Sequence, residues 1–143
     1  MQFFEVRIKY DAVGIDGSRE KKTETYALQV LSFTEAEARI TSHMEPYVNG
    51  DFEVCAIKKA NYGEVKYHGG GRYYLVKYNL VTIDEISGKE RKHAVHVLFE
   101  APDIDKAKEH AHGHMSGTLL DYEIVFIKET DIVDALLFDG GQG

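Results

Sequence analysis

Five of the seven histidines in this 143-residue chain fall between positions 93 and 114: His93, His96, His110, His112 and His114. Imidazole ligates borderline metals and exchanges protons near neutral pH, so this density is the first place to look for chemistry. His110 and His114 stand four apart and share one flank of a predicted helix, the spacing at which a helix offers two imidazoles to zinc. His112 points about 160° away from His110 at about 100° per residue, so the run His-x-His-x-His is not a tripod while the helix persists. A closed site needs a third ligand, with His93, His96 and Glu109 as the choices. The competing account is structural: histidines in the last turn of a helix interact with its free carbonyls and its dipole. Lone His-x-x-x-His spacing is a weak metal signal, so the expectation is no cofactor, with zinc at His110 and His114 as the alternative.

A second stretch, 66 to 78, interleaves bases with aromatics. Tyr67, Arg72, Tyr73 and Lys77 are the residues that could stack on and neutralise a nucleotide or a single strand. Alternation along a strand gives the plainer reading: Tyr74, Val76 and Tyr78 face the core, leaving Tyr73 and Lys77 outward. Seventeen Lys and Arg against 24 Asp and Glu give a net charge of −7, which repels a phosphate backbone and makes duplex nucleic acid a poor partner. Cys55, the single cysteine, excludes an internal disulfide and a cysteine-ligated zinc site; inside a predicted strand it reads as a buried structural thiol. No Gly-x-Ser-x-Gly, phosphate loop or dinucleotide fingerprint is present, and the carboxylates on predicted elements fall on solvent faces. No catalytic residue is therefore assigned.

The elements that must position these residues are written twice. Asp51-Phe52-Glu53-Val54-Cys55-Ala56-Ile57-Lys58 returns seventy positions later as Asp121-Tyr122-Glu123-Ile124-Val125-Phe126-Ile127-Lys128. Its composition is that of a strand buried on both faces and central to a sheet. Before the first copy, residues 3 to 10 alternate, with Phe4, Val6, Ile8 and Tyr10 on one face, and a turn at 14 to 18 leads to a strand at 23 to 31. Ser32-Phe33-Thr34-Glu35 is a capping box, and Ala36, Ile40 and Met44 form the apolar stripe of the helix that follows. A short polar arm spans Glu64 to His68. After Gly69-Gly70-Gly71 the order repeats: strand 72 to 83, strand 91 to 100, helix from Pro102 to about Met115, strand 120 to 128. Tyr26, Leu28 and Val30 align with Val95, Val97 and Phe99, and Ala38 with Ala107.

Phe4-Glu5-Val6-Arg7-Ile8-Lys9-Tyr10, the block Leu31-Ser32-Phe33-Thr34-Glu35-Ala36-Glu37-Ala38-Arg39-Ile40 and Asp51-Phe52-Glu53-Val54 together resemble the small domain-of-unknown-function family 4494 of bacterial and phage proteins. The likeness lies mainly in the first half, Phe4 to Val54. It implies a fold and brings no activity, cofactor or catalytic residue.

The fold expected is α+β: a tandem duplication of a ββαβ unit, mainly antiparallel, with one helix per repeat, sheet order 2-1-3 and an internal pseudo-two-fold. Residues 1–68 form the first repeat, 69–71 a glycine hinge, 72–130 the second repeat and 131–143 an acidic-hydrophobic tail, the whole making one compact domain. In that tail Thr130 or Asp131 caps a short helix, and Leu136, Leu137 and Phe138 either dock on the core or meet a partner. No apolar run approaches the ~20 residues of a membrane span, and the N-terminus has no apolar leader, so the chain reads as cytoplasmic with no membrane contact. The function expected is a non-enzymatic protein–protein interaction module, phage-borne, with an unidentified protein or itself as partner. The alternative is a small-ligand, nucleotide- or metal-binding protein using the His and Tyr residues of the second repeat.

Overall fold

In chain order the elements are β1 (Gln2–Val13), β2 (Arg19–Val30), α1 (Phe33–Met44), β3 (Phe52–Lys59), β4 (Glu64–Lys66), β5 (Arg72–Ile83), β6 (Glu90–Ala101), α2 (Ile104–Ser116), β7 (Asp121–Glu129) and β8 (Ile132–Leu136). The computed structural model describes residues 2–48 and 50–138. The fold is α+β, with two four-stranded sheets in the orders β3-β1-β2-β8 and β4-β6-β5-β7. Pairing is antiparallel except for β2 with β8 and β4 with β6.

The chain divides into two compact units, Met1–Asn61 with Asp131–Gly143, and Tyr62–Thr130. The glycine run 69–71 lies within the second of these units. The arm assigned to the end of the first repeat, β4, pairs with β6 of the second unit, and the segment expected to be a short helix, β8, pairs with β2 of the first. A strand of three or five residues buries little by itself, so it is held by whichever sheet edge its backbone can reach.

In the first unit alternation does what the sequence promised. Phe4, Val6 and Ile8 of β1 and Tyr26, Leu28 and Val30 of β2 meet Ala36, Ile40 and Met44 of α1 in one core. Burial of a side chain such as Ile40 contributes roughly 1.5–3 kcal/mol. The helix starts where its cap satisfies a free amide: Ser32 Oγ accepts from Glu35 N at 3.1 Å, and Glu35 Oε2 accepts from Leu31 N at 3.1 Å. In the second unit Asp103, not the turn before it, is the cap; its Oδ1 accepts from Lys106 N at 2.8 Å, and Ala107, Ala111 and Met115 are the buried stripe.

Register relates the two units residue by residue. Phe52 lies opposite Tyr10 and Tyr122 opposite Leu80; Val54 opposite Ile8 and Ile124 opposite Tyr78; Ile57 opposite Val6 and Ile127 opposite Val76. Between the hairpins the offset grows by one, because the loop 84–89 is one residue longer than the loop 14–18. Tyr26, Leu28 and Val30 therefore correspond to Val97, Phe99 and Ala101, two positions on from the sequence alignment, and buried Ala36, rather than exposed Ala38, corresponds to Ala107.

The repeated strand is an edge strand in both sheets, as the order 2-1-3 requires, although its composition suggested a central one. In β3 the pairing skips Cys55 between Val54 and Ala56, and in β7 it skips Val125 between Ile124 and Phe126. A bulge turns the extra residue out of the pleat, which is why Val125 is 47% exposed and Cys55 is an exposed thiol rather than a buried one. The bulge also kinks an otherwise apolar edge, and Lys58 and Lys59 charge its end, both of which discourage edge-to-edge pairing.

Candidate functional site

The titratable residues gather in the second unit, where β4, the glycine turn after it and α2 come together. β4 runs parallel to β6 with Val65 inward, so Glu64 and Lys66 face outward beside it. The next turn is rigid: Glu100 accepts from Gly69 N through Oε1 at 3.0 Å and from Gly71 N through Oε2 at 3.2 Å. Gly70 sits at φ +107° with its backbone against Ala101 and Pro102, where a Cβ would lie 2.2 Å from Pro102 N. Gly69–Gly71 is therefore a turn with positive φ throughout, its amides held by Glu100.

That turn delivers His68 to α2. Its ring stacks on His110 with centroids 3.8 Å apart, and lies 6.3 Å from Phe99 with planes 10° apart. One turn further along the helix, His114 Nε2 is 3.4 Å from Glu64 Oε1, whose other oxygen holds Lys66 Nζ at 3.0 Å. His112 faces away, as helical geometry requires, and its Nδ1 lies 2.9 Å from the Tyr122 hydroxyl. Lys66, His68, Glu109, His110 and His114 line a groove of about 270 Å³. A second cavity of about 230 Å³ adjoins it at His114 and is bounded by Glu64, Tyr78, Leu80, Val97 and Thr118. Burial, followed by the neighbouring charges of His110 and Lys66, holds the His68 pKa below the usual imidazole value.

Sequence spacing placed His110 and His114 on one flank, and so they are. Each is engaged separately, however, one by the His68 ring and the other by the Glu64 carboxylate. His96 lies on β6 beside Phe126, its pKa lowered by burial and then by Lys77 and Lys128; His93 is exposed. Among the described residues no group of three or more His, Cys, Asp or Glu side chains is placed to hold a metal ion.

Tyr73, expected outward, is 2% exposed, whereas Tyr67, edge-on to it at 6.5 Å, is 42% exposed. Arg72 is exposed at the start of β5, and Lys77 lies between Phe126 and His96 in a cross-strand row. At the other end of the chain Leu136 packs on the core of the first unit, Phe138 is half-buried with its N–H donating to Gln29 Oε1 at 3.0 Å, and Leu137 is exposed. Residues 139–143 of the expected tail lie outside the described residues. Glu64, Lys66, His68 and Glu100 were not singled out as site residues; the alternation Glu64-Val65-Lys66 was the available sign that this arm is a strand with an outward polar face.

Two α+β units, each a four-stranded sheet with a single helix on it, and a histidine-lined groove in the second of them, define the class of this protein. The chain belongs to the family described as Domain of unknown function (DUF4494), whose model matches residues 2–138. That match takes in the histidine-bearing half as well as the stretch from Phe4 to Val54. No curated protein and no solved structure matches the chain. Among the described residues no helix is long and apolar enough to cross a membrane.

Proposed function

We propose that the chain is a tandem duplication of a ββαβ unit that acts as a non-enzymatic protein–protein interaction module. Duplication is supported by the matched registers and by a bulge at the same place, Cys55 and Val125, in each repeated strand. The interaction reading is carried by the tips of the two long hairpins. Both outrun their cores: Arg19–Thr23 and Glu90–Val95 are exposed, and at the ends Val13, Ile15, Ile83 and Ile86 stand in solvent.

Scattered exposed apolar residues are ordinary. Isoleucines at the tips of both hairpins are less so, because the turns do not need them. Asp16 accepts from Ser18 N in the first turn, and Asp84 accepts from Ile86 N and Ser87 N in the second. Side chains without a role in the turn or the core suit a partner's apolar pocket. Lys21 and Lys22 behind the first tip favour an acidic rim around that pocket, whereas Arg91 and Lys92 behind the second are paired with Asp84 at 3.0 Å and Glu123 at 2.9 Å. The partner is another protein or a second copy, and a lone exposed thiol suits a reducing, cytoplasmic setting.

A photo-crosslinking residue at position 15 or 86 is expected to capture one defined species in the native host, while the same residue at Glu37, on the exposed face of α1, captures none. With the crosslinker in place, Val13→Asp combined with Ile83→Asp should abolish that adduct without lowering the melting temperature. Absence of any adduct at both tips, with sedimentation unchanged in the double variant, would sink the reading.

A further inference from the structure

The first unit contains the ligand that the second one lacks. Tyr26 of β2 is buried, its ring set edge-on to His43 of α1 with centroids 5.7 Å apart and planes 66° apart, and its hydroxyl lies 3.4 Å from Glu24 Oε1. In the second unit the same register position holds Val97: Tyr26 stands between Val6 and Asp134, Val97 between Val76 and Glu64. The same histidine is present, since His43 and His114 each precede the buried methionine of their helix, Met44 and Met115. Tyr10, opposite Phe52, is likewise replaced by Leu80, opposite Tyr122.

At one position the two cores trade volume. Where the first unit has Ile8 beneath Ile40, the second has Tyr78 beneath Ala111, and the Tyr78 hydroxyl donates to the Ala111 carbonyl. The larger strand residue fills what the smaller helix residue gives up. Phe99, at the position of Leu28, stands edge-on to His114 at 5.7 Å, and Tyr78 lies 6.4 Å from it, yet the places of the two rings lost at Val97 and Leu80 remain unfilled and a cavity of about 230 Å³ is left there. A well-packed interior does not leave such a space without cost, and an open slot of this size is below the usual range for drug-sized ligands, which makes it the size of a single substituted ring.

We propose that this slot in the second unit binds a phenol ring, edge-on to His114 with its hydroxyl donating to Glu64, as Tyr26 sits against His43 in the first. The walls suit it: Leu80, Val97 and Met115 are apolar, and the carboxylate at the polar end is already fixed by Lys66 at 3.0 Å and His114 at 3.4 Å. A neutral phenol gives one hydrogen bond to a carboxylate and otherwise asks only for apolar surface. The Tyr26 phenol shows the same protonation state, being pushed well up by burial and then by Glu24. The ring can arrive as a free small phenol or as the tyrosine side chain of a partner. This site is independent of the hairpin tips.

The test is an amide-shift NMR titration of the full chain with p-cresol, toluene and N-acetyl-L-tyrosinamide. p-Cresol is expected to shift Val97, His114 and Thr118 saturably, with a dissociation constant of about 1 mM or tighter, and toluene to bind about tenfold more weakly. Val97→Tyr, which restores the first unit's arrangement, should reduce p-cresol binding by about tenfold or more. Glu64→Leu, which removes the acceptor, should erase the preference for p-cresol over toluene, and it tests the geometry even where Val97→Tyr folds poorly. Binding of the tyrosinamide as tight as that of p-cresol points to a partner's side chain; binding of p-cresol alone points to a free phenol. No saturable shift with either phenol, or a folded Val97→Tyr protein that binds p-cresol like the wild type, would overturn the proposal.

Discussion

His68 lies flat on His110, the two imidazoles stacked with centroids 3.8 Å apart and planes 7° from parallel. Two imidazolium rings repel in that arrangement, and burial together with His110 and Lys66 already lowers the His68 pKa. A histidine whose folded pKa lies below its unfolded value of about 6.5 contributes stability above that value, and the contribution is lost as pH falls through the folded pKa. The melting temperature should therefore decline as pH drops below about 6.5, and decline less in His68→Gln. The difference should be modest because His68 is exposed. His96, lowered by burial and then by Lys77 and Lys128, acts in the same direction in both proteins and does not confuse the comparison. Superimposable pH profiles for the two proteins would show that the stack contributes nothing.

Gly70 and Gly71 both have positive φ, yet substitution at the two should differ. A Cβ at Gly70 meets the backbone of Ala101 and Pro102, whereas at Gly71 it meets open space. Gly71→Ala should cost about 1 kcal/mol for the left-handed backbone alone. Gly70→Ala adds a clash that no side-chain rotation relieves, so its cost should exceed that of Gly71→Ala by roughly 1–3 kcal/mol. Equal urea midpoints would mean that the turn is not clamped as described.

Both helices depend on one side-chain oxygen at their start. Ser32→Ala and Asp103→Ala should each remove about 1 kcal/mol, and Ser32→Asn or Asp103→Asn should restore most of it. Denaturation followed by far-ultraviolet circular dichroism measures this. A loss that the asparagine variants fail to recover would assign the effect to something other than capping.

The strand β8 pairs with β2 as part of the first unit and is not a free tail; its Ile132 and Ala135 are buried and Leu137 is in solvent. Ile132→Ala should destabilise by about 2–4 kcal/mol. Leu137→Ala should change stability by less than about 0.5 kcal/mol. Reversal of that order would restore the view of 131–138 as an interaction element that does not dock.

By itself the sequence determined much of what depends on neighbours in the chain, though alternation wrongly turned Tyr73 outward. Alternation gave both hairpins, Ser32 and Glu35 gave the first helix start, and the stripe ending at Met44 gave that helix its buried face, because each follows from a local period or a local hydrogen bond. The spacing of His110 and His114 gave their shared flank for the same reason. Tertiary structure decided what depends on distant partners. Composition made Asp51–Lys58 look central, but pairing left it at an edge with Cys55 bulged outward. Which sheet receives β4 and β8 is decided by the sheet edge each can reach, since neither strand is long enough to impose a choice. His68 reaches His110 only because Gly70 packs against Pro102 and Glu100 fixes the amides on either side, and no local pattern announces a carboxylate that arrives from another strand. The slot beside His114 was equally invisible in the sequence: a Tyr-to-Val difference between repeats becomes a cavity only when the residues packed around it do not move in to fill the space.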